Sequence, residues 1–217
     1  MKKGFTELVF ILDKSGSMAG LEDDTIGGYN SMLNKQKAME GEAVVTTVLF
    51  DNHYQLLHDR INIKGVRPIT EREYFVGGST ALMDAVGITI NKIINVQKNT
   101  SPEERAEKVI FVITTDGMEN ASREYTRSMV KKLIERQEKE YGWEFIFLGA
   151  NIDAVEFAEE IGIRADRAAN YHADSKGIKA NYEAINDAVS FMRMNVEVRD
   201  EWKADLEKDF KNRKKGR

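Results

Sequence analysis

Three short loops hold the side chains of this sequence best placed to do chemistry. Asp13-Lys14-Ser15-Gly16-Ser17 follows an apolar run directly, Gly77-Gly78-Ser79-Thr80 leads into a segment of helical periodicity, and Thr114-Thr115-Asp116-Gly117 ends another apolar run. Asp13 and Asp116 offer carboxylates; Ser15, Ser17 and Thr80 offer hydroxyls. These are hard oxygen donors without nitrogen or sulfur, a set that suits magnesium or manganese, with calcium as a further hard cation, and discriminates against zinc and copper. Ser15 and Ser17 alternate so that both hydroxyls can face inward, Gly16 permits the sharp turn, and Lys14 then points away from the metal. Taken singly, each hydroxyl is better explained as a helix N-cap and Asp116-Gly117 as a plain turn. Five such groups at successive strand ends favour a shared cation.

The elements that must position these loops are legible in the apolar pattern. Leu8–Leu12, Val44–Phe50, Val109–Thr114 and Phe145–Leu148 are near-continuous apolar runs, the mark of strands buried on both faces. Between them lie helical segments over Leu21–Met39, Ala81–Val96, Tyr125–Tyr141 and Val155–Ile161. Alternation of this kind predicts an α/β, doubly wound, Rossmann-like and mostly parallel sheet with helices on both faces. Tyr54–Leu57 follows the second strand after the short gap Asp51-Asn52-His53, which predicts one antiparallel edge strand. A weaker strand is expected near Ala168–Tyr171 and a last long helix over Lys176–Asn195. In such a sheet ligands sit outside the carboxyl ends of the strands, and Asp13 and Asp116 end central neighbours. Gly27-Gly28 in the first helix reads as close packing of that helix on the sheet.

With 41% hydrophobic residues, the 217-residue chain can bury one sizeable core. Zero cysteines exclude a thiolate nucleophile, a disulfide framework, zinc ribbons and iron–sulfur clusters. Three histidines supply zinc catalysis poorly; His53, His58 and His172 read as structural or solvent-facing. The segment Lys211–Arg217 carries five basic side chains, and removing them from the formal charge of −4 leaves −9 on the rest. An acidic body does not attract phosphate backbones, so nucleic acid is not the expected partner. No apolar run is long enough to span a membrane, and Leu8–Leu12, with Glu7 before it, is too short for a signal-peptide core, which reads as cytoplasmic. The division expected is a domain over 1–198 and a charged C-terminal helix with a basic tail over 199–217. In that last segment Trp202, Leu206 and Phe210 recur every four residues, a stripe that packs on its own body or docks a partner.

The set Asp13-Lys14-Ser15-Gly16-Ser17, Thr80 and Asp116 resembles the von Willebrand factor A domain and its metal-ion-dependent adhesion site, whose first motif reads Asp-x-Ser-x-Ser. The likeness runs from about Phe5 to Val196 and includes stand-alone bacterial and phage-encoded domains. It implies that Ser15, Ser17 and Thr80 ligate the metal through hydroxyls, Thr80 depending on conformational state, while Asp13 and Asp116 act mostly through bound water. It further implies a binding module rather than an enzyme: an ion held by neutral hydroxyls stays electrophilic and takes a Glu or Asp side chain of a partner protein. Two other readings stand beside it. One is a metal-dependent phosphoester hydrolase, in which Glu119 and Asn120, just past Asp116, shape the rim or supply a general base. The other is a scaffold binding through its C-terminal helix.

Overall fold

A computed structural model describes residues 1–214; Lys215 to Arg217, the end of the basic tail, lie outside the described residues. The run Leu8–Leu12 has no polar side chain to offer a solvent face, and the chain buries all of it, each residue showing no exposed surface. It lies in strand β1 (Lys2–Asp13), the centre of a six-stranded sheet with β2 (Glu42–Phe50), β3 (Tyr54–Asn62), β4 (Ala106–Thr115), β5 (Glu144–Gly149) and β6 (Ala168–Asn170). The strand order is β3-β2-β1-β4-β5-β6. Every neighbouring pair is parallel except β2–β3, the hairpin that the short Asp51-Asn52-His53 connection requires.

Alternate residues of β1 serve opposite layers. Leu8, Phe10 and Leu12 join one core cluster with residues of α1 (Glu22–Ala38) and α5 (Ser175–Arg193). Val9 and Ile11 join a second with residues of α2 (Leu82–Asn99), α3 (Arg127–Tyr141) and α4 (Ala154–Glu160). The fold is therefore doubly wound, with helices on both faces. Leu12 pairs with Thr114, so the loops after β1 and β4 leave the sheet side by side.

The edge strand runs to Asn62, past the expected Leu57. The register of β2 against β3 shifts around Thr47, opposite His58, and Arg60 adopts a left-handed φ of 51°. This bulge breaks the alternation at His58-Asp59-Arg60 and hides the strand from a period-2 reading. The expectation for Gly27-Gly28 also changes. Gly28 meets the Tyr182 ring of α5, so the close approach is helix to helix, whereas Gly27 faces open space. A β-carbon at Gly28 overlaps that ring. In urea unfolding, Gly28→Ala is expected to lose about 1–3 kcal/mol, and Gly27→Ala to gain up to about 1 kcal/mol from helix propensity.

The C-terminal stripe packs on its own body. Trp202 and Leu206 are 3% and 2% exposed within the first cluster. The Trp202 indole donates to the Asp166 carbonyl at 3.0 Å, and the buried Lys203 ammonium donates to the carbonyls of Ala165 and Ala168 at 2.9 and 3.0 Å. Phe210, in α6 (Ala204–Lys214), stacks on His172 with centroids 4.6 Å apart. Among the described residues no helix is long and apolar enough to cross a membrane.

Candidate metal centre

β1 delivers Asp13 to the carboxyl edge, where its side chain turns the chain. One oxygen accepts the Ser15 N–H at 2.7 Å and the other the Thr115 hydroxyl at 2.5 Å. The Asp13 carbonyl accepts the hydroxyl of buried Tyr74 at 2.6 Å. Ser15 then opens a short 3-10 turn, Gly16–Met18. The Ser15 and Ser17 hydroxyls lie 3.2 Å apart, and Ser17 Oγ donates to Asp116 Oδ1 at 2.5 Å. At Gly117 a β-carbon would stand 3.1 Å from Ser17 Oγ and 3.6 Å from Thr80 Oγ1, so Thr80 borders the same spot. The structure thus brings Asp13, Ser15, Ser17, Thr80 and Asp116 to one sheet edge.

Thr80 is held from both sides. Its N–H donates to Asn120 Oδ1 at 3.0 Å, and its carbonyl accepts the N–H groups of Asn120 and Ala121. The Gly77-Gly78 pair lies against the first loop: Gly77 N–H donates to the Lys14 carbonyl, and the Gly78 carbonyl accepts the Gly16 N–H, each at 3.0 Å. Gly78 has φ +73°, and a β-carbon there would overlap the Asn52 side chain. Lys14 does point away: its buried ammonium pairs with Asp51 at 3.5 Å and lies 4.3 Å from the centre of the Phe75 ring.

Both carboxyls of this edge are desolvated. Asp116 Oδ2 is buried and has no hydrogen-bond partner. Burial, and to a lesser degree the nearby Asp13 charge, push the Asp116 carboxyl up to about 6 against the opposing Ser17 bond. Burial likewise raises Asp13. Two desolvated carboxylates beside inward hydroxyls fit a hard cation, which would satisfy the orphan oxygen and offset the crowded negative charge. Among the described residues no group of three or more His, Cys, Asp or Glu side chains gathers.

Several positioning residues escaped sequence reasoning. Thr115 was visible only as part of its loop. Tyr171 donates to the Thr115 carbonyl at 3.1 Å, and Asn151, at a left-handed φ of 57°, donates to the Asp116 carbonyl at 3.0 Å. Nothing local announces either, or Tyr74. Glu119, a candidate base in the hydrolase reading, is consumed by structure. It accepts the N–H groups of Met83, Ala121 and Ser122 and the Ser122 hydroxyl, all within 2.9 Å. The histidines stand apart from the site: His53 against Asp51, His58 against Thr47, and His172 against Phe210.

No family model matches the sequence, and no curated protein matches it. Solved structures resemble it. An aspartate-to-alanine mutant of the PilB minor pilin from Streptococcus sanguinis aligns with a TM-score of 0.62 at 12% identity, covering 85% of this chain and 61% of the pilin. Proximal thread matrix protein 1 from the mussel byssus, with a zinc-occupied MIDAS motif, aligns at 0.59 and 14% identity, covering 86% of this chain and 46% of that one. The manganese-loaded TRAP protein of Plasmodium vivax aligns at 0.55 and 17% identity, covering 80% and 70%. At these identities the likeness is one of fold, which is von Willebrand factor A-like, and the chain spans less than two thirds of the first two proteins.

Proposed function

We propose that the chain is a divalent-metal-dependent protein-binding module, with magnesium the expected ion and manganese or calcium able to replace it. The observation that carries this reading is the buried, unpartnered Oδ2 of Asp116, whose other oxygen accepts the Ser17 hydroxyl. Ser15, Ser17 and Thr80 would hold the ion through their hydroxyls. Asp13, with one bond already made by each carboxylate oxygen, and Asp116, tied to Ser17, would act mostly through water. A bound ion supplies the positive electrophilic centre that accepts an Asp or Glu side chain of a partner, and a desolvated charge contact of that kind can dominate an interface.

The chain's own residues prepare that contact. Thr115 and Tyr74 orient Asp13, Asn120 orients Thr80, and Asn151 orients Asp116. Other carboxylates near this edge are bonded to backbone donors. Asp84 accepts the N–H groups of Arg123, Glu124 and Tyr125, Asp51 that of His53, and Asp153 that of Glu156. The occupation of Glu119 supports binding over hydrolysis, since it leaves the rim without its candidate base. Binding is assigned to residues 1–198, with 199–217 as an appended segment.

Affinity capture from host extract tests the function. Immobilised wild-type protein is expected to retain a partner in magnesium and release it in EDTA, and Asp13→Ala to retain none. A partner held equally by wild type and Asp13→Ala, or held in EDTA, would exclude the metal edge as the binding surface.

A further inference from the structure

Met118 and Phe75 are 66% and 59% exposed, and apart from Met1 they are the two most exposed large apolar side chains among the described residues. Both belong to loops of the candidate metal centre. Scattered surface apolar residues need no explanation; these two lie on the loops that also carry Thr80 and Asp116. Neither sits in a slack segment. Phe75 follows Tyr74, which is bonded to the Asp13 carbonyl, and precedes Gly77, whose N–H is bonded to the Lys14 carbonyl. Its ring lies over the Lys14 ammonium at 4.3 Å, on a cation that is itself buried and paired with Asp51. Met118 stands between Gly117, which is bonded through Thr115, and the Glu119-Asn120 pair anchored to the start of α2 and to Thr80. Each loop is tied on both sides of its apolar residue and holds that residue out in water.

We infer that Phe75 and Met118 are specificity-determining residues of the binding edge. They select a partner segment whose acidic residue is flanked by bulky apolar side chains. The inference rests on the proposed metal-dependent binding and adds the chemistry of what is bound. The carboxylate goes to the metal loops, and the neighbouring apolar side chains cover Phe75 and Met118. Removing that apolar area from water, around a contact that must also exclude water, turns a bare charge contact into a selective one. Methionine adapts to varied apolar shapes, while the aromatic ring, pinned by Lys14, offers a fixed surface.

Two fluorescein-labelled nonapeptide amides test this, each with a single central Glu, one flanked by Leu and Phe and the other by Ser and Gly. Fluorescence anisotropy is read in manganese and in EDTA, with manganese-induced melting shifts measured in parallel. The expected result is manganese-dependent binding of the Leu/Phe peptide about tenfold tighter than the Ser/Gly peptide. The double variant Phe75→Ser, Met118→Ser should bind the two alike while keeping the wild-type melting shift. Equal affinities in wild type, a preference that survives in the double variant, or a preference that persists in EDTA would each overturn the inference. So would failure of both peptides to bind while manganese still raises the melting temperature, an outcome that leaves the metal reading standing. If manganese does not move the wild-type melting curve, both fall together.

Discussion

Manganese is expected to raise the melting temperature of the wild-type chain by roughly 5–10 °C and to leave Asp116→Asn unmoved. An ion that binds only the folded state stabilises it by mass action, by about 2.7 kcal/mol at 100-fold excess over its dissociation constant. For a chain of this size each kcal/mol is worth about 2–4 °C. Asp116 is the informative position because its role reverses with the metal. Without an ion it is a desolvated carboxylate with one unpartnered oxygen, raised by burial and by Asp13. A neutral amide in its place relieves that cost, so Asp116→Asn should melt at or above the metal-free wild type. With manganese present the order inverts. Differential scanning fluorimetry in EDTA and in manganese measures both signs, with magnesium and calcium as further arms. A wild type that does not respond, or an Asp116→Asn that responds as strongly, would remove Asp116 from the set and with it the case for a cation here.

The largest effect away from the site is expected at Arg60. Glu7 lies in the centre of the sheet with no exposed surface, and the Arg60 Nε stands 3.0 Å from both of its carboxylate oxygens. Gln97 adds a longer bond at 3.4 Å. Removing one member of a buried pair strands the other charge, at a typical cost of about 3–5 kcal/mol. Arg60 is 28% exposed, so the lower end of that range, about 3 kcal/mol, is the expectation for Arg60→Ala in urea unfolding. Alanine leaves the backbone strain of a left-handed β-carbon residue nearly unchanged, so the difference reports the charge. The double variant Glu7→Gln, Arg60→Ala should recover most of the loss.

The pH dependence of this variant carries its own sign. Burial raises the Glu7 carboxyl above its ordinary value, and Arg60 opposes that rise. Without Arg60 the folded-state value climbs further above the unfolded one. A group of this kind loses stability as the pH rises from the unfolded value toward the folded one, because only the unfolded chain ionises it freely. The deficit of Arg60→Ala should therefore be smallest in acid, below the ordinary glutamate value, and grow as the pH rises above it. A deficit independent of pH would locate the loss in packing of the guanidinium stem instead.

The strand and helix alternation was legible because it is local. An apolar run such as Leu8–Leu12 needs no distant information to declare itself buried, and the Gly77-Gly78 loop holds, at Gly78, a φ that only glycine adopts cheaply. Gathering Asp13, Ser15, Ser17, Thr80 and Asp116 needed one further step, the rule that parallel strands present their carboxyl ends together. Where the alternation broke, at the Arg60 bulge, the edge strand looked shorter than it is. Where a side chain's surroundings come from another element, as for the Gly28–Tyr182 contact, sequence reasoning assigned the right role to the wrong neighbour.

Composition and spacing alone determined the α/β class and pointed to the loops that carry Asp13, Ser15, Ser17, Thr80 and Asp116. Tertiary structure alone decided how those donors are held and what surrounds them. The Thr115 bond to Asp13 spans 102 residues, the Tyr74 bond 61 and the Arg60 pair 53. Periodicity reports which face of an element is apolar, not which distant side chain meets it. Burial of the C-terminal stripe, the orphaned Asp116 oxygen and the exposure of Phe75 and Met118 therefore appear only when the chain is folded, because each is set by what the other elements cover or leave open.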